Sequence, residues 1–428
     1  MSNEEKQELQ MNDEKRAFIR EQIAPKRRSA AKRFMGAVWK TSILAILFGV
    51  VGSFVFCAFH TYFNEIFEKG EEGTIVFVQP TQSPQPTAKP VQTDEKKEPE
   101  QVQAVMDIDT YKEAYGIMKD VAKEFNHSVV TVSGVQNGVD WFDNPAEASD
   151  VTCGVIIADS DKKMYILTSY REITDVSHIQ VTFENNEMVE ATLLGKDKDT
   201  NIAVIAIEHD NLSKEILKKM QVAILGDSYY AQTGAPILAL GNPNGYMYSM
   251  EIGMITGDSI EQYVTDSMVD LVSTNIVGVD EGDGVIVDLE GNIIGIITHQ
   301  FKDEVKNSMC TAIAVNRVKT TIERIMNKTQ RAYFGVVASN IPEEYKKSLG
   351  AEHGIYVMEV LNNSPALDAG IQVGDIITDI DDTEITSISN FSGALSVFKP
   401  KEEVLVKLLS TTRIENKEKT VAVVMGKK

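Results

Sequence analysis

From Ser128 onward, short runs of β-branched and apolar residues alternate with clusters of Asp, Asn and Gly. The runs predict strands at 129–132, 154–158, 164–168, 179–183, 191–194, 202–207, 237–240, 285–287 and 293–298. Short helices are predicted at 213–220 and 318–327, and a longer one at 111–125 after Asp109 and Thr110. Many short strands without long helices between them indicate a β-sandwich or a β-barrel, so the chain is mostly β.

The last hundred residues have a different pattern and form a second unit. Strands are predicted at 354–360, 373–377, 404–409 and 420–424, with a turn and a short helix at 362–370 and a second helix at 390–398. A chain of 428 residues is also too long for one ordinary core. Two folded domains are therefore expected.

The N-terminal region has the pattern of a membrane anchor. The uncharged run 42–59 is about the length that spans hydrocarbon, and it follows the basic cluster 26–33. The positive-inside rule places the N-terminus in the cytoplasm and the bulk of the chain outside, at a cell membrane. A cleaved signal peptide is disfavoured because no small-x-small site follows the run. The Pro- and Gln-rich stretch 80–100 is typical of an extended spacer.

The charge distribution argues against nucleic acid as a partner. The net charge is −21, and residues 1–40 carry ten Lys/Arg against six Asp/Glu, while the rest carries 32 against 57. A nucleic-acid-binding body requires a basic face. Of the three cysteines, Cys57 lies in the apolar run, and Cys153 and Cys310 either pair in an oxidising compartment or remain buried thiols.

Three segments and their order resemble the HtrA/Deg family of serine proteases. They are 153–157 (Cys-Gly-Val-Ile-Ile), 239–245 (Ala-Leu-Gly-Asn-Pro-Asn-Gly) and 253–256 (Gly-Met-Ile-Thr). The resemblance implies one transmembrane helix, a trypsin-like double β-barrel and a C-terminal PDZ domain. The boundaries that follow are a cytoplasmic tail at 1–40, the anchor at 41–60, an extracytoplasmic linker at 61–108, the protease-like domain at 109–328 and the PDZ domain at 329–428.

The same resemblance places the catalytic triad on three residues that cannot perform its chemistry. Aligned with the family's motifs, Arg171 takes the histidine position, Asn201 the aspartate position and Gly282 the serine position. Arginine stays protonated and cannot act as a base, and glycine offers no nucleophile. No catalytic residue is therefore predicted, and the chain is expected to be an inactive protease.

Three alternatives concern the residues around these positions. His178 would replace the missing base, but a histidine on a surface loop is the simpler interpretation. The carboxylates of 280–288 do not have the spacing of an EF-hand loop, so neither a metal nor a cofactor is expected. Arg171 is predicted to form an ion pair with Asp280, Glu281 or Asp283.

The C-terminal unit retains a candidate peptide-binding groove. Its segment 333–336 resembles the carboxylate-binding loop of the family, in which backbone N–H groups hold a peptide terminus. The residues predicted to bind peptide are Tyr333, Phe334, Gly335, Val336, Phe391 and Leu395. The competing interpretation is that the apolar members are simply domain core.

The sequence thus predicts a binding function, in peptide capture or in regulation of a related protease within envelope protein quality control. Domains of this family commonly form trimers through the segment that leads into the barrel, here 111–125, so a homo- or hetero-trimer is implied. Two other classes remain open: an active endopeptidase with a non-standard site, and a structural envelope scaffold.

Overall fold

The fold was examined in a computed structural model, which describes residues 108–139, 145–280, 282–301, 308–411 and 416–427. Its helices are α1 (Ile108–Phe125), α2 (Lys214–Lys219), α3 (Val315–Met326), α4 (Glu343–Leu349), α5 (Pro365–Asp368) and α6 (Ile388–Leu395). The predicted anchor at 41–60 lies outside these residues. Within the described part of the chain, no helix combines the length and the apolar character needed to cross a membrane.

The first domain consists of two closed antiparallel barrels. One contains β1 (Val129–Val139), β2 (Pro145–Asp159), β3 (Lys163–Ser169), β4 (His178–Thr182), β5 (Met188–Asp197) and β6 (Ile202–Glu208). The other contains β7 (Pro236–Asn242), β8 (Ser249–Val264), β9 (Ser267–Val277), β10 (Asp283–Val287), β11 (Ile293–Ile297) and β12 (Met309–Ala314). The strand orders are β1-β2-β3-β6-β5-β4 and β10-β11-β12-β9-β8-β7.

Both faces of the central strands are buried, which explains their continuous apolar sequences. In β6, Ala203 and Ile205 fill the interior of the first barrel, while Val204 belongs to a second cluster. That second cluster also contains Leu238 and Leu240 of β7, so it lies where the two barrels pack together. Successive side chains of a strand point to opposite faces. Such strands therefore need apolar residues at every position.

Two helices cover the cluster between the barrels. Helix α3 buries Val315, Val318, Ile322 and Met326, which recur at helical spacing. Helix α1 contributes Ala122 and Phe125, with Met118 and Val121 partly buried against the same cluster. The predicted apolar face of α1 is thus used at its C-terminal end, whereas Ile117 is exposed.

The second domain is a small sheet with short helices. Strands β14 (Val336–Asn340), β15 (Ile355–Val360), β16 (Ile376–Ile380), β18 (Glu403–Thr411) and β19 (Asn416–Val424) pair in that order, and β17 (Thr383–Glu384) joins β16. Strand β13 (Ala332–Tyr333) pairs with β20 (Gly426–Lys427). The rings of Phe334 and Phe391 meet edge to face at 5.4 Å in the core, with an interplanar angle of 89°.

The predicted architecture of a double β-barrel followed by a PDZ fold is confirmed. The largest element that was not predicted is the long hairpin of β8 and β9, and strands β12 and β14 and helix α4 were not predicted either. Cys153 and Cys310 are both buried free thiols in different apolar clusters, so of the two alternatives the structure has the unpaired one.

Candidate functional site

A cleft of about 490 Å³ opens where the two barrels meet. Residues from the end of β3, the start of β6 and the loop before β10 line it. They include all three positions that were aligned with the triad, and the lining that matters for the chemistry is Ser169, Arg171, Glu172, Asn201, Gly282 and His299. The fold thus brings Arg171, Asn201 and Gly282 to one place, although they are far apart in sequence.

Arg171 and Asn201 belong to one hydrogen-bond network at the base of this cleft. Asn201 has a left-handed backbone (φ 59°), and its Oδ1 accepts the Arg171 N–H at 2.8 Å. Its Nδ2 donates to Ser169 Oγ at 2.7 Å. Ser169 Oγ in turn donates to Glu172, whose other oxygen pairs with Arg171 Nε at 3.0 Å. Each of these four side chains therefore has a partner within the network.

Gly282 lies in a tight turn whose backbone is already engaged. Its N–H donates to the carbonyl oxygen of Val279 at 3.0 Å, and its own carbonyl oxygen contacts His299 Nε2. A Cβ atom placed on Gly282 would lie 2.5 Å from the Pro243 carbonyl oxygen. An oxyanion hole requires backbone donors that point to an empty position in the cleft. The Gly282 N–H does not meet that requirement.

The carboxyl group of Asp283, which also lines the cleft, is bonded to β2 of the first barrel. Its Oδ2 accepts the Cys153 N–H at 3.0 Å and the hydroxyl of Thr152. Burial raises the pKa of Asp283, although the hydrogen bonds from Thr152, Cys153 and Asn242 oppose that shift. Asp283 is therefore a structural link between the barrels.

Of the three acids predicted to pair with Arg171, Asp283 is the wrong one. Arg171 pairs with Glu172, its neighbour in the same 3-10 turn, while Asp283 is engaged by Thr152 and Cys153. Glu281 lies outside the described residues. A partner on the same turn is reached with little loss of side-chain freedom, which favours it over one on another barrel.

His178 does not approach the cleft. It is the first residue of β4 and lies opposite Val135 of β1 in the strand register. The histidine that does line the cleft is His299, just after β11, and it was not predicted. A search for histidine around β3 alone misses it. Its sequence signal is its place immediately after a strand that pairs with β10.

The part of the chain with described coordinates contains no cluster of three or more His, Cys, Asp or Glu side chains arranged to hold a metal ion. Arg171 itself contributes a fixed positive charge to the cleft, beside Glu172. Among its described lining residues, the cleft therefore combines charged and amide groups without a hydroxyl or thiol that is hydrogen-bonded to a histidine.

The second candidate site is the loop at the start of the C-terminal domain. The N–H groups of Phe334, Gly335 and Val336 converge on one acceptor, the carboxylate of Asp266. The side chains of the predicted groove residues Phe334, Val336, Phe391 and Leu395 are fully buried, and Tyr333 is half-buried in β13. Gly335 has φ +94°, which favours glycine.

Comparison with protein families places both domains. The description "Trypsin-like peptidase domain" matches residues 152–296, and "PDZ domain" matches residues 326–424. This order of a trypsin-like domain followed by a PDZ domain is similar to that of HtrA/Deg proteins. The serine endoprotease DegS of Haemophilus influenzae is 29% identical over 324 residues, which cover 72% of this chain and 86% of DegS.

Other HtrA/Deg proteins agree with this placement. The serine protease Do-like HtrB of Bacillus subtilis is 31% identical over 252 residues, 55% of this chain and 54% of HtrB. The solved structure of the HtrA-type protease AlgW with a decapeptide superposes with a TM-score of 0.54. It is 21% identical and covers 73% of this chain and 98% of AlgW, which supports the shared fold.

Proposed function

We propose that this HtrA/Deg-type chain is a pseudoprotease that acts by binding. In this proposal its PDZ domain captures peptides or unfolded segments with a free C-terminal carboxylate. The protease-like domain is a scaffold without catalytic turnover. The protein would serve as an adaptor or regulator in envelope protein quality control.

The cleft between the barrels is the single observation that carries this proposal. Acyl transfer by a trypsin-like site needs a nucleophile, a base to take its proton and donors for the oxyanion. At the aligned positions Gly282 has no side chain, and Arg171 stays protonated and accepts no proton. The Gly282 N–H is already bonded to the Val279 carbonyl oxygen. Loss of the serine or the histidine of a triad alone costs on the order of a million-fold in turnover.

The rival function is an active endopeptidase, and one contact in the cleft favours testing it. Ser169 Oγ donates to Glu172, so a hydroxyl and a carboxylate do lie within hydrogen-bond reach. Relatives such as DegS and HtrB are named as proteases. Glu172 is also paired with Arg171, however, and an ion-paired carboxylate is a poor base for a serine hydroxyl.

Digestion of unfolded casein by the purified full-length chain tests these two functions. The proposal expects no cleavage above that of a mock purification, for the wild type and for Ser169→Ala alike. Cleavage that survives repeated purification and disappears in Ser169→Ala would establish the endopeptidase. Cleavage that persists in Ser169→Ala would also reject the pseudoprotease, and would direct the search to another residue.

The binding half of the proposal has its own measurement. A pool of fluorescein-labelled peptides randomised at the terminal positions is titrated with the full-length chain by polarisation, and the same pool with amidated C-termini is the control. Saturable binding of the free-carboxylate pool alone supports peptide capture. Binding of neither pool favours the structural scaffold.

Membrane attachment and assembly are further parts of the proposal. The apolar run 42–59 supports a single-pass anchor with a cytoplasmic N-terminus. Exposed Tyr111, Tyr115 and Ile117 on α1 support a homo- or hetero-trimer with HtrA-like proteins. Carbonate extraction of membranes would release the protein if the anchor is absent. Light scattering of the full-length protein in detergent would show a monomer if α1 does not assemble.

A further inference from the structure

The tip of the β8–β9 hairpin is buried, which is unusual for a tight turn. Val264 pairs with Ser267, so the turn consists of Thr265 and Asp266 alone. Asp266 has φ +60° and no exposed surface, and Thr265 is only 7% exposed. Hairpin tips normally lie in solvent because their backbone groups need water as a partner. The backbone and side chain of this tip instead form hydrogen bonds with another part of the protein.

Those partners are the donors of the carboxylate-binding loop of the PDZ domain. Asp266 Oδ1 accepts the N–H groups of Gly335 at 2.7 Å and Val336 at 3.0 Å, and Oδ2 accepts that of Phe334 at 2.9 Å. Three consecutive N–H groups around one carboxylate form the arrangement that captures a peptide terminus in such loops. In addition, Asp266 N–H donates to the Val336 carbonyl oxygen at 2.8 Å.

The contacts around Asp266 extend along the groove. Arg331 Nη2 donates to the Asp266 carbonyl oxygen at 3.1 Å and to Ser392 Oγ at 3.0 Å. Ser392 Oγ also lies 3.2 Å from Ser267 Oγ, so α6 touches the hairpin directly. The Met268 side chain is buried in the PDZ core cluster with Phe334, Phe391 and Leu395. The hairpin therefore supplies the PDZ domain with both a carboxylate, from Asp266, and an apolar side chain, from Met268.

We propose that the hairpin tip is an internal ligand of the PDZ domain and that Asp266 takes the place of a peptide C-terminus. A binding partner must then have a free carboxylate and an apolar side chain beside it, and it binds by displacing Asp266 and Met268. The groove is closed in the resting protein, and its apparent affinity falls by the fraction of molecules in which the hairpin is undocked. This inference rests on the proposed peptide-capture function.

Peptide binding by Asp266→Ala tests the competition. In the polarisation titration with the free-carboxylate pool, we expect the full-length Asp266→Ala chain to bind at least about 10-fold more tightly than the wild type. The matched control is Asp258→Ala on β8, which removes the same charge from the same hairpin. Asp258 accepts from Thr233 N–H and from the neighbouring Ser259 hydroxyl, and neither residue belongs to the PDZ domain. Equal affinities for wild type and Asp266→Ala would overturn the internal ligand while leaving peptide capture intact.

A second experiment holds the hairpin in place. The Oγ atoms of Ser267 and Ser392 are close enough for a Ser267→Cys/Ser392→Cys pair to be bridged. We expect the oxidised variant to lose peptide binding and to recover it with reductant, whereas either single variant responds to neither treatment. Undiminished binding by the oxidised pair would show that the groove is occupied by peptide while the hairpin is docked, contrary to the proposal.

Amide hydrogen exchange tests the docked hairpin without any peptide, so it can distinguish failure of this inference from failure of the proposed peptide capture. The amides of Phe334, Gly335 and Val336 are expected to be protected in the wild type and in Asp258→Ala, and to exchange at least about 10-fold faster in Asp266→Ala. Fast exchange in Asp266→Ala without any peptide binding would reject peptide capture but retain the docked hairpin. Equal exchange in the wild type and Asp266→Ala would reject the docked hairpin.

Discussion

A Cβ atom on Gly282 would lie 2.5 Å from the carbonyl oxygen of Pro243, closer than side chains approach backbone in folded proteins. The same hypothetical atom would lie 2.9 Å from Val279 Cγ2. Because Pro243 O is a backbone atom, relief would require a shift of the segment after β7. The loop before β10 is therefore shaped around a residue without a side chain.

Restoring the triad by substitution should therefore fail. We expect Arg171→His/Asn201→Asp/Gly282→Ser to leave casein intact, because the new serine has no room and the Gly282 N–H remains bonded to Val279. The measurement is release of casein fragments over a day, with the wild type as the baseline. Turnover by the triple variant would show that the loop adapts more easily than its contacts indicate.

We expect the side-chain amide of Asn201 to stabilise the fold in a way that a carboxylate at the same position does not. Replacement by aspartate removes the Nδ2 donor to Ser169 and places a second carboxylate near Glu172, with one hydroxyl proton between them. We expect Asn201→Asp to lower the free energy of unfolding by about 1–3 kcal/mol. Urea denaturation at neutral pH measures this.

The control for Asn201 is glycine, which accepts the left-handed backbone but makes neither side-chain hydrogen bond. If Asn201→Asp were as stable as the wild type while Asn201→Gly was destabilised, the carboxylate would be an acceptable substitute. The network would then not select against a triad-like aspartate.

Much of the fold could be predicted because the barrel strands carry their burial in their sequences. β6 is apolar along its length because one of its faces lines the interior of the first barrel and the other packs against the second barrel. The three triad-aligned residues could likewise be placed, because the segments around Arg171 and Asn201 kept their pattern. The antiparallel pairing of β3 with β6 brings Arg171 and Asn201 together, and the packing of the second barrel against the first adds Gly282 to the same cleft.

The hairpin of β8 and β9 could not be predicted in the same way. Its distal half contains Asp258, Ser259, Glu261 and Gln262, and this polar stretch reads as a loop in isolation. Its pattern becomes interpretable only when the PDZ domain supplies partners for Asp266 and Met268. The partner of Arg171 was mispredicted for a different reason. Several acids lie near it, and only the folded structure shows that it pairs with its neighbour Glu172.

We expect Asp283 to stabilise the fold through the hydrogen bonds that it accepts and not through its charge. Asp283→Ala leaves the Thr152 hydroxyl and the Cys153 N–H without their acceptor and should cost about 1–3 kcal/mol. Asp283→Asn keeps an acceptor oxygen and removes the charge. We therefore expect the asparagine variant to be the more stable of the two in urea denaturation.

The pH dependence of Asp283→Asn follows from the raised pKa of the aspartate. Burial raises that pKa in the folded state, so folding favours the protonated form, and the wild type loses stability as pH rises through the folded pKa. The asparagine variant lacks this loss. Its stability relative to the wild type should increase from about pH 3 to neutral pH, and a relative decrease over that range would contradict the assignment.

The two cysteines of the body are expected to be inert thiols. Burial raises the pKa of Cys310 to about 12 and that of Cys153 well above its usual range. The thiolate is the reactive species, so at about pH 8 both should react with a thiol reagent on the order of a thousandfold more slowly than an exposed cysteine. A Cys57→Ser background leaves these two thiols as the only ones in the chain. In that background, denaturation without reductant should expose two reactive thiols. If no thiol reacts after denaturation, Cys153 and Cys310 are joined by a disulfide. Rapid reaction before denaturation would mean that the barrels open.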